Sequence, residues 1–177
     1  MELVLWLLVL HGVLGGLDVL INHELAERLP HRPGAGLEEA LHAAREALFA
    51  SLFISLAWFE WHGLAAWCIV AIIGAELCVS TWDSVLEDQT RRLPPLERIL
   101  HIALLINLGA YATLLAPILA DWHADPSAVF PVWNGRQTVA LTLLGLAAAA
   151  WCIRDGRSRR RLSALPAQAA AGVASRP

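Results

Sequence analysis

Five long apolar segments constrain the fold of this chain more than any other feature of its sequence. They cover residues 3–22, 39–60, 63–86, 97–119 and 137–153. Because the hydrocarbon core of a bilayer is about 30 Å thick, a helix needs about 20 apolar residues to cross it, and each segment meets or nearly meets that length. The sequence therefore predicts an all-α polytopic membrane protein with about five transmembrane helices.

Turn-forming residues separate these segments and define the domain. The links are RLPHRPGAG (28–36), WHG (61–63), RRLPPLER (91–98) and a polar loop at 120–136. Because Pro and Gly interrupt helices, we expect each link to end one span and begin the next. We predict one transmembrane helical domain over residues 1–162, and a disordered cytoplasmic tail over residues 163–177, which lack aromatic side chains.

The distribution of arginine predicts the topology. The basic residues are all Arg, and most of them flank the first and third links and the end of the fifth segment, whereas the alternate loops contain one Arg between them. The alternate loops carry Trp61, Trp122 and Trp133, as is typical of a membrane interface. The positive-inside rule then places the N-terminus outside and the C-terminus in the cytoplasm of a bacterial inner (cell) membrane. We interpret the string RDGRSRRR as a contact with anionic lipid, and we expect no nucleic-acid binding.

Ionisable side chains inside the apolar segments are the next feature to explain, since each costs about 2.5–3.5 kcal/mol on insertion scales. Asp18 and Asn22 share one stripe of the first helix, and Glu24 follows at its mouth. In the third helix, polar residues recur at intervals of 4, 3 and 4, which is an uninterrupted stripe: Glu76, Ser80, Asp83 and Glu87. Such stripes indicate a polar site between helices.

The second and fourth helices both place a carboxylate beside an imidazole. Glu39, His42 and Glu46 are spaced by 3 and 4 residues on the second helix, and Glu97 and His101 lie one turn apart on the fourth. Residues at these spacings share a helix face. Carboxylate and imidazole side chains in this arrangement are typical metal ligands.

Eight of these residues lie within about two turns of the predicted cytoplasmic helix ends, so they can meet at one depth: Asp18, Asn22, His42, Glu46, Asp83, Glu87, Glu97 and His101. Several carboxylates cannot all stay ionised in a low-dielectric interior unless cations neutralise them. Two divalent metal ions would do so, with iron favoured and manganese as the second choice. The predicted ligands are Asp18, Glu24, Glu39, His42, Glu46, Asp83, Glu87, Glu97 and His101.

Two resemblances accompany this pattern. The strings GLDVLINHELAERLP, LHAARE and LEDQTRRLPPLERILH resemble an uncharacterised family of small bacterial multi-helix membrane proteins, which implies no activity. The order of ligands resembles the ferritin-like di-iron carboxylate proteins, which implies redox chemistry at paired iron ions in a bundle of helices one to four, with the fifth helix peripheral. The chain departs from that pattern, since Glu97 and His101 are four residues apart whereas Glu39 and His42 are three apart.

Four functions are consistent with the sequence. The leading hypothesis is a membrane-embedded di-metal oxidoreductase that acts on a lipophilic substrate such as a quinone or an acyl chain. The alternatives are a proton or metal-cation transporter or channel, a haem protein ligated by His42 and His101, and a non-catalytic assembly subunit. In the last case Glu38, Glu39 and Glu97 would complement helix N-termini or pair with arginine.

Overall fold

The computed structural model describes residues 1–164, and this part of the chain contains five helices long and apolar enough to cross a membrane. The prediction of an all-α polytopic fold is confirmed. The helices are α1 (Glu2–Asp18), α2 (Gly36–Trp58), α3 (Ala66–Thr90), α4 (Pro95–Ala124) and α5 (Arg136–Ser163). The predicted disordered tail lies outside the described residues from position 165 onward.

The first span does not remain α-helical to its end. After Asp18 the chain continues as a π-helical segment, Val19–Ala26, and a short 3-10 turn at Leu29–His31 then leads toward α2. In a π-helix the backbone hydrogen bonds join residues five apart, so the turn is wider than in an α-helix. Asp18 and His23, which are five residues apart, are consequently both buried on the inner side of the segment.

The helices surround a common interior in which α2 lies between α3 and α5, and α1 lies between α4 and α5. The α3 and α4 helices make few contacts with each other. The middle of the bundle is apolar and includes Leu5, Leu8, Leu52, Leu56, Ile69, Tyr111 and Leu115. The charged residues therefore collect at one end of this apolar core.

The expectation that the fifth helix is peripheral is wrong, because α5 packs along much of α2. A Cβ added at Gly145 would lie 3.0 Å from the side chain of Ile54, so the two helices touch there. Nearby, Thr138 Oγ1 donates a hydrogen bond to the carbonyl oxygen of Ala57 at 3.0 Å. Small residues in α5 permit this close approach, as is common between membrane helices.

A two-stranded antiparallel sheet joins the links at the other end of the bundle. Strands β1 (Phe59–His62) and β2 (Ala128–Pro131) pair, with Phe59 opposite Pro131. The turn after β1 requires glycine, because Gly63 has φ +60° and a Cβ there would lie 2.5 Å from Ser127 Cα. The sequence pattern predicts the second span as far as residue 60 and loops for the rest of both strands, since strands of four residues are too short to show a period.

Candidate metal centre

The π-helical segment, the beginning of α2, the end of α3 and the beginning of α4 bring buried acids and imidazoles together at one end of the bundle. Within the described residues, two groups of His and Glu side chains have potential ligand atoms close enough to hold a metal ion. The structure thus confirms that buried His and Glu side chains from four separate helical segments come together.

The larger group contains four side chains, which are His23, Glu87, Glu97 and His101. One potential ligand atom of each lies within 4.8 Å of those of the other three. His23 Nε2 lies 3.4 Å from Glu97 Oε1, and His101 Nδ1 lies 3.5 Å from Glu87 Oε2. Two imidazoles and two carboxylates form a ligand set that suits a transition-metal ion.

The smaller group contains Glu38, His42 and Glu87, whose ligand atoms also lie within 4.8 Å of one another. Glu87 therefore belongs to both groups. The two groups also touch through their imidazoles, since His23 Nδ1 lies 3.1 Å from His42 Nδ1 and the rings stack with centroids 4.2 Å apart. A shared carboxylate between two ligand groups is the arrangement found in dinuclear carboxylate centres.

Several potential ligand atoms in these groups lack hydrogen bonds. His23 Nε2, His42 Nε2 and Glu87 Oε2 are buried and make no hydrogen bond within residues 1–164. Buried polar atoms are normally hydrogen-bonded, and an unsatisfied one calls for an explanation such as an ion or water. A metal ion bound by these atoms would supply the missing interaction.

Asp18 orients one of the imidazoles. Its Oδ2 lies 3.0 Å from His101 Nε2, while the other ring nitrogen of His101 faces Glu87. Asn22 donates a hydrogen bond to the second oxygen of Asp18 at 2.7 Å. Carboxylate–histidine–metal arrangements of this kind fix the ring and its tautomer in metal sites.

Asp83 stands in a similar position on the other side of the centre. Its Oδ2 lies 3.2 Å from His42 Nε2 and accepts a hydrogen bond from Arg45 Nη1 at 3.1 Å. Asp83 thus joins an imidazole of the smaller group to an arginine. Since His42 Nε2 faces this carboxylate outside hydrogen-bonding geometry, the nitrogen keeps a free lone pair or proton.

Arg91 binds three of the carboxylates in the two groups. Its guanidinium lies 2.9 Å from Glu38, 3.0 Å from Glu87 and 2.5 Å from Glu97. Burial alone lowers the pKa of Arg91, but the hydrogen bond to Glu97 and the charges of Glu38, Glu97 and Glu87 outweigh burial and raise the pKa. The pairing of acids with Arg45 and Arg91, expected of a buried ion network, therefore occurs alongside the candidate ligands.

The arginines do not balance the acids of the cluster. The two guanidiniums, Arg45 and Arg91, contact four carboxylates, which are Glu38, Asp83, Glu87 and Glu97. A fifth carboxylate, Asp18, contacts His101 instead. With neutral imidazoles, three negative charges remain in a buried region. Uncompensated buried charge is costly, so protons or further cations must accompany these acids.

The nine ligands predicted from the sequence occupy three kinds of position. His42, Glu87, Glu97 and His101 belong to the two groups. Asp18 and Asp83 lie beside them and contact their imidazoles. The remaining three, Glu24, Glu39 and Glu46, are outside both groups, and Glu24 pairs with Arg154 of α5.

Two members of the groups, His23 and Glu38, were not predicted as ligands. An α-helical period turns His23 away from Asp18, and only the π-helix returns it to the same side. The sequence pattern favours Glu39 over Glu38, because Glu39 shares a helix face with both His42 and Glu46. In the structure Glu38 and His42 are four residues apart, as are Glu97 and His101, so α2 and α4 use the same spacing, a match that was available in the sequence.

A cavity of about 630 Å³ adjoins the centre inside the bundle. Glu87 and His101 line its end near the two groups, and mostly apolar side chains line the rest. Leu77 and Val85 on α3, and Leu105 on α4, line it and are exposed. The cavity therefore extends from the buried acids to exposed apolar side chains of α3 and α4, two helices that make few contacts with each other.

The comparisons with known proteins identify no family for this chain. No family model, no curated protein and no solved structure matches it. The two resemblances drawn from the sequence stay predictions, and the chain is described by its structure: a helical protein suited to the membrane, with two buried His/Glu groups that could hold metal ions.

Proposed function

We propose that this chain is a membrane-embedded di-metal carboxylate protein, with iron as the favoured metal, and that it acts as an oxidoreductase on a lipophilic substrate. The observation that carries the proposal is the position of Glu87, which belongs to both groups of buried ligand atoms. His23, His42 and Glu38 complete the pair of groups with Glu97 and His101.

The chemistry of the ligand set supports paired metals over one. Three imidazoles and three carboxylates are available, and a single ion would leave one group empty. Two divalent ions would bring four positive charges, enough to compensate the three negative charges that Arg45 and Arg91 leave, whereas one ion would bring only two. When bound, paired iron would supply redox chemistry, while Asp18 and Asp83 hold His101 and His42 in place.

The cavity supports a lipophilic substrate. Its wall is mainly apolar, it meets the centre at Glu87 and His101, and it reaches the exposed apolar residues of α3 and α4. Ligand sites are typically apolar clefts of about 300–1,000 Å³ with a few polar groups, and this cavity has that character. A molecule dissolved in the bilayer could enter laterally between those two helices.

The position of the apolar core disfavours a transporter or channel. Beyond His11 the interior is filled by packed apolar side chains, including Leu5, Leu8 and Leu56. A conduction path for protons or cations would require polar groups through the whole membrane. In the described residues the buried acids end at Glu76, about halfway along α3.

The geometry also disfavours a bis-histidine haem. His42 and His101 both contact Glu87, at 4.0 Å and 3.5 Å, so a carboxylate lies between the two rings. His42 is further stacked on His23. A porphyrin plane between the imidazoles would displace all of these contacts.

Elemental analysis of detergent-purified protein tests the proposal. We expect about two iron or manganese ions per chain, and Glu87→Ala should remove both because the two groups share that carboxylate. His42→Ala and His101→Ala should each lower the metal content. Asp88→Ala is the matched control, since Asp88 is the exposed neighbour of Glu87 and belongs to neither group.

A metal-free wild-type protein that remains stably folded, in a preparation supplied with iron and manganese during expression, would overturn the proposal. Equal metal content in Glu87→Ala and the wild type would also contradict it. In either case the acids and arginines would form a purely structural ion network.

A further inference from the structure

A second polar position lies deep in the cavity, away from the candidate metal centre. Glu76 and Ser80 on α3 and His11 on α1 line this part of the wall. Glu76 is eleven residues before Glu87, so it lies about 16 Å away along the helix. The candidate metal centre makes no use of these three residues.

Glu76 is a buried acid with one oxygen unused. Its side chain is 2% exposed, and Ser80 Oγ donates a hydrogen bond to Oε1 at 2.7 Å. Oε2 is buried and makes no hydrogen bond with any residue that the structure describes. An acid at this depth of a membrane helix is costly, and such residues usually mark a functional site.

His11 lines the cavity from α1, and its ring is held by contacts with neighbouring side chains. Its Nδ1 lies 3.1 Å from Asn107 Nδ2, and its ring packs 4.7 Å from that of Phe49. Asn107 is anchored in turn by a hydrogen bond to the carbonyl oxygen of Leu7 at 3.0 Å. The cavity thus has aromatic walls beside a fixed imidazole and a free carboxyl oxygen.

The charges around the cavity select against anionic molecules. Four acids and two arginines line it: Glu46, Glu76, Glu87, Asp88, Arg45 and Arg98. A fatty-acid carboxylate or a lipid phosphate beside Glu76 would bring a second acid to a buried carboxyl group in a low-dielectric interior, which is unfavourable. A neutral hydroxyl can donate to an ionised carboxylate or accept from a protonated one, so it suits Glu76 in either state.

We propose that Glu76 and His11 bind the hydroxyl group of a neutral aromatic lipophile, of the hydroquinone class, whose ring packs against Phe49 and Phe53 and whose chain extends toward the gap between α3 and α4. This inference rests on the proposed function, because it names the class of substrate that the oxidoreductase would use. The binding site itself is formed by residues outside both metal groups.

Equilibrium binding of a decyl-chain hydroquinone to the purified protein tests this proposal, with quenching of tryptophan fluorescence as a readout because Trp151 lines the cavity. We expect saturable binding, weakened about tenfold or more by Glu76→Leu, because the buried hydrogen-bonding partner is lost. Glu76→Gln should retain binding, since an amide both donates and accepts. Decanoate, an anion of similar chain length, should not compete.

Two glycines provide a matched test of cavity occupancy. A Cβ at Gly15 or at Gly109 would meet nothing within 4 Å, but only Gly15 lines the cavity. Gly15→Leu should therefore fill the cavity and abolish hydroquinone binding, whereas Gly109→Leu should leave the affinity unchanged. Both proteins should fold, because neither position has a neighbour to displace.

The metal centre and the hydroquinone site can fail separately. Wild-type affinity in Glu76→Leu, or equal competition by decanoate, would overturn the hydroquinone site and leave the metal proposal intact. His42→Ala should lower the metal content yet still bind the probe, because His42 does not line the cavity. If the wild type were metal-free while Glu76→Leu lost the probe, the metal proposal would fail and the binding site would stand.

Discussion

At the scale of single residues, Arg91 and the proposed metal ions would bind the same carboxylates. Arg91 contacts Glu38, Glu87 and Glu97, and all three are potential ligands. The pKa of Arg91 is raised above the ordinary arginine value, so the side chain keeps its charge throughout the accessible pH range. The stability that this charge contributes is present at any pH below the ordinary arginine pKa and is lost only at higher pH. A substitution of Arg91 can therefore distinguish a structural ion network from a metal centre.

Arg91→Gln should destabilise the metal-free protein by about 3–5 kcal/mol, because it leaves buried carboxylates without a cation. Bound metal should restore much of this loss, since the ions would neutralise the same acids. The measurement is thermal unfolding of metal-free and metal-loaded protein. Arg92→Gln is the control at an exposed neighbouring position.

Equal destabilisation of Arg91→Gln with and without metal would contradict this prediction. It would mean that the carboxylates serve only as partners of the guanidinium.

At the scale of elements, the π-helical segment decides which side chains of the first span reach the centre. In an α-helix His23 would turn about 100° past Asn22, away from Asp18. The wider π-helical turn instead buries Asp18, Asn22 and His23 together, with His23 2% exposed. Where π-helical segments interrupt α-helices, they are frequently found at functional sites.

His23→Ala should weaken metal affinity by at least about tenfold, because it removes one nitrogen of the larger group and the ring stacked on His42. Competition with a chelator measures the affinity. His31→Ala is a suitable comparison, since His31 is exposed in the neighbouring 3-10 turn. Similar affinities for the two variants would contradict the assignment of His23.

The contact between α2 and α5 gives a second prediction at this scale. Gly145→Leu should destabilise the protein by about 1–3 kcal/mol, because its side chain would collide with Ile54 and the backbone of Ala50. Gly109→Leu is the control, since a Cβ there meets nothing within 4 Å. Thermal unfolding in detergent compares the two variants, and equal unfolding temperatures would argue against close packing of α5 on α2.

At the scale of the whole molecule, residues 1–164 form three regions that follow one another along the bundle axis. The acids and imidazoles lie at one end, the apolar core occupies the middle, and the sheet of β1 and β2 lies at the other end. The arginine-rich links lie at the same end as the acids. The positive-inside rule therefore predicts that the candidate metal centre faces the cytoplasm.

Reporter fusions test this orientation in a bacterial host. Green fluorescent protein fused at the C-terminus should fluoresce, while alkaline phosphatase inserted in the loop at 120–136 should be active, because that loop should face outward. The reverse pattern would place the centre on the outer side and contradict the predicted topology.

The sequence by itself determined the class of fold and the candidate residues in outline. Length and hydropathy specify five spanning helices, because a bilayer requires about 20 apolar residues per span. Helical spacing was also sufficient to find His42, Glu87, Glu97 and His101, because side chains one turn apart share a face whatever surrounds them.

Only the tertiary structure decided which acids belong together. Glu39 and Glu46 are buried on the same helix as Glu38 and His42, but they belong to neither group of ligand atoms. His23 joins the site through a local change of helical period that no α-helical pattern contains. The physical reason is that a helix period fixes directions within one element, whereas the choice of partner depends on which neighbouring helix each face meets.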